Sequence, residues 1–124
     1  MKKYAYSKDI KIPLYVGGLR IILTNQDLKI DDDCMITSET SGKMVMTTDA
    51  DGILLFIVAF NIQKSFSHGI IAHECLHFVL DLFQFIKLQL SEEESNGNEA
   101  YTYMLGWAVN QVYDFMKEKN IKIK

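Results

Sequence analysis

The sequence predicts an α+β fold, in which a small antiparallel sheet of two to four strands is followed by two long helices. Short runs rich in β-branched and aromatic residues occupy the first half of the chain, and from residue 65 the apolar residues recur at helical spacing. A length of 124 residues suits one modest hydrophobic core. We therefore expect a single domain over residues 1–124, without internal repeats or a linker.

The strands are expected within the first sixty residues. Residues 10–24 suit a hairpin or a bulged strand around two adjacent glycines, whereas the polar and acidic residues 26–42 indicate a surface loop. Polar and apolar residues alternate moderately at 43–48, and the turn sequence DADG at 49–52 follows them. The next run, ILLFIVAF at 53–60, is apolar enough for a strand that is buried on both faces.

Two helices are expected in the second half. Ser65 or Ser67 can cap the first helix, which we expect to extend to about Gln89. The sequence SEEESNGN at 91–98 indicates a loop, and Asn98 can cap the second helix. The helices should pack on one face of the sheet.

Composition argues against several classes of function. A formal charge of −3, without a broad basic surface, argues against nucleic-acid binding. The longest strongly apolar run has eight residues, which is too short to cross a membrane, and the first residues do not resemble a signal peptide. Cys34 and Cys75 are poorly placed for a disulfide, so we expect reduced thiols, an inert Cys75 and a cytoplasmic location.

The stretch IIAHECLHFVLDL contains the pattern H-E-x-x-H. At about 100° per helical residue, His73 and His77 project about 40° apart on neighbouring turns, so both imidazoles can bind one metal ion. Glu74 is turned away by about 100° and would lie beside the metal. Zinc activates a bound water and polarises a carbonyl, and a neighbouring glutamate can accept the proton. The spacing therefore predicts a hydrolytic zinc site with Glu74 as the base.

Such a site needs a third protein ligand. The metzincin continuation requires glycine at position 80 and histidine at 83, where this chain has Leu80 and Phe83. A glutamate from the following helix is the alternative, and Glu99 is available 22 positions after His77. Here the chain resembles the gluzincins, in which the H-E-x-x-H helix is followed by a helix with the ligand in an N-E-x-x-x-D setting. Asn98 and Glu99 match that setting.

Tyr103 stands where the gluzincin aspartate would be. That aspartate orients a metal-bound histidine through its second ring nitrogen, so another acceptor must replace it. Asp81, one turn after His77, and a backbone carbonyl are the candidates. Tyr103, one turn after Glu99, would face the metal and could donate a hydrogen bond to a developing oxyanion. If Glu99 is not the ligand, Glu94 is the first substitute.

The order of strand, H-E-x-x-H helix, loop and N-E-A-x-x-Y helix also resembles a group of short phage- and prophage-encoded proteins described as zinc peptidases. The similarity spans about residues 10–116, and its specific part is HECLH with NEAYTYMLGW. It implies a minimal zincin-like domain and a bacterial or phage cytoplasmic origin, but no known substrate. We expect a peptide or protein substrate from the chemistry of the site. We expect no thermolysin-like second lobe beyond the motifs, and therefore a pocket for a peptide that is smaller than in that group.

Two other interpretations remain open at this stage. The histidines could be ordinary core residues, each with a hydrogen-bond partner. Alternatively, the protein could be a non-catalytic interaction module in which a metal only stabilises the helix junction. That second interpretation predicts a sealed site in which Glu74 is bonded to protein groups. His68 is expected at the helix end or surface, because it projects about 140° away from His73.

Overall fold

The computed structural model describes residues 2–15, 17–86 and 95–123, without the side chains of 95–98. Within these ranges, six strands precede two helices, which confirms the α+β class and the order of its elements. The elements are β1 (Ala5–Lys11), β2 (Gly18–Thr24), β3 (Leu28–Asp31), β4 (Cys34–Ile36), β5 (Gly42–Thr48), β6 (Leu54–Asn61), α1 (His68–Phe85) and α2 (Ser95–Glu118).

The main sheet has four strands in the order β1-β2-β6-β5. Strands β1 and β2 are antiparallel, as are β5 and β6, in agreement with the two expected hairpin regions. The central pair is parallel, with Gly18 opposite Leu55 and Thr24 opposite Asn61, so the sheet is mixed where the sequence predicted antiparallel pairing. Strand β6 is buried on both faces, which is typical of an interior strand with a parallel neighbour.

The predicted loop at 26–42 is wrong in part, because β3 and β4 form a small antiparallel sheet there. Leu28 and Ile30 alternate with charged residues, which gives β3 one apolar side although it lies in an acidic segment. Together with the buried Ile36, they pack against Ile22 and Ile57 on the back of the main sheet. Burial of these few apolar residues stabilises a hairpin that the polar composition of the segment did not indicate.

Both faces of the main sheet are covered, and β6 contributes to each. Its even-numbered residues, such as Phe56 and Phe60, belong to the large core beneath the helices. Its odd-numbered residues, such as Leu55 and Ile57, belong to the smaller cluster under β3 and β4. Phe78 of α1 meets Phe56 edge-on at 5.1 Å between ring centroids. The helices thus pack on one sheet face, as expected.

Helix α1 begins where the sequence indicated. The Ser67 side chain accepts a hydrogen bond from the Ile70 backbone N–H at 3.2 Å, which identifies Ser67 rather than Ser65 as the cap. The helix ends at Phe85, before the expected end near Gln89, which lies outside the described residues.

Helix α2 begins earlier than expected. It starts at Ser95, so Asn98 is an internal helical residue rather than the cap, and the loop predicted for 91–98 is wrong over its second half. Residues 91–94, including Glu94, lie outside the described residues. Asparagine and glycine are weak helix formers, but α2 is 24 residues long, and packing of an apolar stripe outweighs such local preferences.

The two helices are antiparallel to each other. Tyr101 near the start of α2 contacts Phe83 near the end of α1, with ring centroids 4.4 Å apart. At the other end, Tyr113 stacks with His68 at 5.6 Å. In the part of the chain that the structure describes, neither helix combines the length and the apolar character needed to cross a bilayer.

Candidate metal centre

The exposed face of α1 carries both histidines of the H-E-x-x-H pattern. Their Nε2 atoms are 3.1 Å apart, and their rings are nearly perpendicular, with centroids separated by 4.6 Å. Two ligands of a tetrahedral zinc ion with bonds of about 2.0–2.1 Å are about 3.3 Å apart. His73 and His77 therefore present a pair of nitrogen atoms at a spacing that fits one zinc ion.

Glu74 completes this group from the buried side of the helix. Its Oε2 lies 3.9 Å from His73 Nε2, and only 10% of its side chain is exposed, against 65% for His73. The ligand atoms of His73, Glu74 and His77 all lie within 4.8 Å of one another, so the three residues could hold a metal ion. Two imidazoles and a carboxylate are a donor set that zinc accepts.

The Glu74 carboxylate is not sealed inside the protein. In the described part of the chain it makes no hydrogen bond, and no fully buried side-chain nitrogen or oxygen there lacks a partner. Its oxygen atoms must therefore reach solvent-accessible space. A sealed site with Glu74 bonded to protein groups, which the non-catalytic interpretation requires, is not what the structure shows.

Strand β5 leaves room for this carboxylate through Gly42. A Cβ atom at this position would lie 2.9 Å from Glu74 Cγ, 3.2 Å from Glu74 Oε2 and 2.7 Å from Ile70 Cγ2. Distances below 3.0 Å are steric clashes, so any larger residue would displace the glutamate or the helix. No sequence motif marks Gly42, and only the close approach of β5 to α1 reveals its steric role.

The turn before β5 fixes the position of Gly42. The Thr37 carbonyl accepts hydrogen bonds from the N–H groups of Thr40 and Ser41, each at 3.1 Å. The buried Asn61 then anchors the turn, because its backbone N–H donates to the Ser41 carbonyl at 2.8 Å. Its side chain also donates to the Gln26 carbonyl at 3.2 Å. These bonds hold the edge strand against the histidine helix.

A groove of about 380 Å³ lies between the start of β5 and the exposed side of α1. Because β5 is the last strand of the four-stranded sheet, one of its edges pairs with no described strand. The groove runs along that strand. Its lining residues are Thr40, Gly42, Lys43, Met44, His73, Glu74, His77 and Asp81.

The two further residues predicted for the site, Glu99 and Tyr103, belong to α2. Glu99 and Tyr103 are exposed, and Glu99 is not among the described residues whose ligand atoms cluster within 4.8 Å. The contact of Tyr101 with Phe83 places the start of α2 near the end of α1, beyond His77 along the helix axis. A bond from Glu99 to the metal thus requires the start of α2 to approach His77, and the ligand role of Glu99 stays a prediction.

Other predicted residues have clear positions. Asp81 lines the groove but makes no hydrogen bond to a histidine within the described chain, and the ring Nδ1 atoms of His73 and His77 have no partner there either. His68 is exposed at the start of α1, as predicted, and it bonds to Tyr113. Cys75 is fully buried. Burial, followed by the nearby Glu74 carboxylate, raises the pKa of the Cys75 thiol to about 12.

Comparison of the chain with known protein families, with curated protein sequences and with solved structures found no match. The functional interpretation therefore rests on the geometry of the groove and its residues.

Proposed function

We propose that this protein is a zinc-dependent hydrolase that cleaves a peptide or amide bond in a peptide or protein substrate. One arrangement carries the proposal: two Nε2 atoms 3.1 Å apart face an open groove, with a buried carboxylate 3.9 Å from one of them. A purely structural zinc site is closed by four protein ligands, whereas a catalytic one keeps a position open.

Each residue of the group has its own task in this proposal. Zinc bound by the histidines would supply Lewis-acid activation of water and of the substrate carbonyl. His73 and His77 hold the ion through Nε2 on the exposed face of α1. Glu74 accepts a proton at a carboxylate oxygen and delivers it to the leaving amine. Gly42 lies against Glu74, and within the described part of the chain the carboxylate accepts no hydrogen bond that would compete for this proton.

The edge of β5 supports an extended peptide as the substrate. An unpaired strand edge offers backbone N–H and C=O groups that can pair with another extended chain. A peptide added along β5 would lie in the groove beside the histidines. Backbone pairing would then hold a scissile bond next to Glu74 while leaving the substrate side chains free to project outward.

Two residues of α2 complete the proposal. We assign Glu99 as the third zinc ligand and Tyr103 as a hydrogen-bond donor to the developing oxyanion. Both side chains are exposed and on the helix that packs beside α1, and their assigned roles require the start of α2 to move toward His77.

The decisive experiment has two stages. Protein purified without metal-affinity contact is first reconstituted and assayed for zinc, and about one equivalent per chain is expected. Less than about a tenth of an equivalent would remove the proposal. The zinc-loaded protein is then incubated with a mixed peptide library, and cleavage products are identified by mass spectrometry.

Glu74→Gln separates chemistry from metal binding. It should retain zinc and lower any cleavage rate by about 100-fold or more, because general base catalysis contributes at least that much. Glu39→Gln, an exposed control, should leave both properties unchanged. Unchanged turnover in Glu74→Gln would refute the assigned base. Zinc binding without cleavage of any library peptide would instead support a non-catalytic metal-stabilised interaction protein.

A further inference from the structure

A second cavity, of about 310 Å³, lies at the opposite end of the helix pair from the start of α2. It is bounded by the first residue of α1, the last turns of α2 and the chain that follows α2. It shares no lining residue with the groove at the candidate metal centre. The function proposed for that groove makes no use of this cavity.

The apolar floor of the cavity comes from the way α2 ends. The Ile121 N–H donates to the Met116 carbonyl at 2.9 Å, and the Asn120 N–H donates to the Lys117 carbonyl at 3.1 Å. Asn120 has a φ of 56°, so these bonds form the left-handed C-terminal cap known as a Schellman motif. Such a cap brings the residue after it into apolar contact with the last helical turn. Met116 and Ile121 form this floor, and Ile123 extends it.

The rings of His68 and Tyr113 also line the cavity. His68 Nδ1 and the Tyr113 hydroxyl share a hydrogen bond, and the two rings stack with centroids 5.6 Å apart. This contact ties the start of α1 to the end of α2, so the wall is built by two packed elements. The cavity thus has an apolar floor and a polar rim, which is the usual composition of a small-molecule site.

The charged residues of the lining are both cations. Lys117 and Lys122 line the cavity, and neither forms an ion pair within the described part of the chain. Two other lysines, which do not line the cavity, already have partners. Lys8 pairs with Glu118 at 2.5 Å, and the Lys119 ammonium lies 4.9 Å from the centre of the Tyr6 ring. No acidic side chain is among the described residues that line the cavity.

We propose that this cavity binds a small amphipathic carboxylate, with its anionic group at Lys117 and Lys122 and its apolar chain on the Met116–Ile121 floor. Unpaired cations above an apolar surface complement a ligand that has one negative end and one hydrocarbon end. At about 30 Å³ per water-sized group, the volume admits about ten non-hydrogen atoms. A free carboxylic acid of about eight carbons matches that size.

Octanoate is a suitable probe, because it has about ten non-hydrogen atoms, the number that the cavity volume admits. Titrations followed by amide chemical shifts should use metal-free protein, since a carboxylate could otherwise bind zinc in the groove. We expect saturable shifts at residues 113–123 and at His68, and none along β5. Octanamide has the same number of non-hydrogen atoms but no charge, and it should bind at least about tenfold more weakly. Butyrate, which lacks most of the apolar chain, should also bind more weakly.

Matched lysine variants test the charge requirement. Lys117→Gln combined with Lys122→Gln should weaken octanoate binding by about tenfold or more, whereas Lys119→Gln in the same turn should change it less than about twofold. All three substitutions are at exposed positions, so the amide spectrum should retain its folded pattern. Equal binding of octanoate and octanamide, unchanged binding in the double variant, shifts confined to other surfaces, or no saturable binding would each overturn the proposal. These results are independent of whether the groove hydrolyses peptides.

Discussion

Gly42 on the edge strand and Glu74 on the histidine helix fit together so closely that one methyl group would not fit between them. A Cβ atom at Gly42 would lie 2.9 Å from Glu74 Cγ. The glutamate that we propose as the base is therefore positioned by a strand 32 residues away in sequence as well as by its own helix. The position of the carboxylate in the groove depends on the absence of a side chain at residue 42.

Gly42→Ala should disturb Glu74 and its neighbour Ile70, whereas neither histidine is among the contacts nearest to the added methyl group. We expect it to destabilise the protein by about 1–3 kcal/mol, as over-packing of a tight contact does, and to reduce any hydrolysis while zinc still binds. Urea unfolding and zinc titration measure the two effects. Gly106→Ala is the control, because no atom lies within 4 Å of its Cβ and alanine in a helix stabilises by about 0.5–1 kcal/mol. Equal stability of Gly42→Ala and wild type would contradict the contact.

Zinc affinity should depend on the Nε2 atoms of both histidines on the exposed face of α1. His73→Ala and His77→Ala should each weaken zinc binding by more than about 100-fold, because each removes one of the two imidazoles that hold the ion. Competition with a chromophoric chelator measures this. His68→Ala provides the comparison, since His68 bonds to Tyr113 away from the group and its loss should leave the affinity unchanged. An equal effect of all three variants would point to general loss of structure.

The third ligand can be tested in the same assay. Glu99→Gln should weaken zinc binding by about 100-fold if Glu99 is the ligand, because removing one of three protein ligands leaves only the histidine pair. Asp81→Asn is the matched variant, since Asp81 already lines the groove. A loss of affinity in Asp81→Asn alone would replace Glu99 by Asp81 in the proposed site.

The two cysteines should react at very different rates. Cys34 is partly exposed, whereas Cys75 is fully buried and has its pKa raised to about 12 by that burial and by Glu74. A thiol reagent at pH 8 should therefore modify about one thiol per native chain and about two after denaturation. Cys34→Ser should abolish the reaction of the native protein. Rapid modification of Cys75 in that variant would show that the helix opens readily.

Asp9 should contribute a small stabilisation that acid removes. A hydrogen bond from Arg20, its partner across β1 and β2, holds the pKa of Asp9 below its ordinary value. A lowered pKa in the folded state gives stability above the unfolded pKa, and that stability is lost as pH falls through the folded pKa. Because the pair is exposed, Asp9→Asn should cost no more than about 0.5 kcal/mol near pH 7 and less at pH 2. Unfolding experiments at the two pH values would detect the difference, with Asp51→Asn as the control.

The features predicted from the sequence are those with local causes. The turn at residues 49–52 forms because the Asp49 side chain accepts hydrogen bonds from the Asp51 and Ile53 N–H groups, each at 2.9 Å, and Gly52 adopts a positive φ. The Ser67 cap and the helical phase of His73 and His77 depend equally on nearby residues. Such relationships are encoded within a few positions, so a pattern of residue types suffices to predict them.

The features that the sequence did not predict depend on distant parts of the chain. The parallel pairing of β2 with β6 and the contact of Gly42 with Glu74 join residues that are more than thirty positions apart. The β3–β4 hairpin is stabilised by apolar residues on the back of β6. No local pattern contains this information. For the same reason, the distance from Glu99 to the histidines depends on how α2 packs, and its ligand role remains a prediction.

The central position of β6 has a consequence for the order in which the chain can fold. Its two neighbours in the sheet, β2 and β5, are both made before it, and they do not pair with each other. When only residues up to 53 have been synthesised, β2 and β5 therefore have backbone groups without hydrogen-bond partners. The apolar surface of the sheet then also lacks its central strand. Closing the gap between β2 and β6 is a long-range step that slows folding. The sheet that supports the histidine helix forms only after β6 has been synthesised.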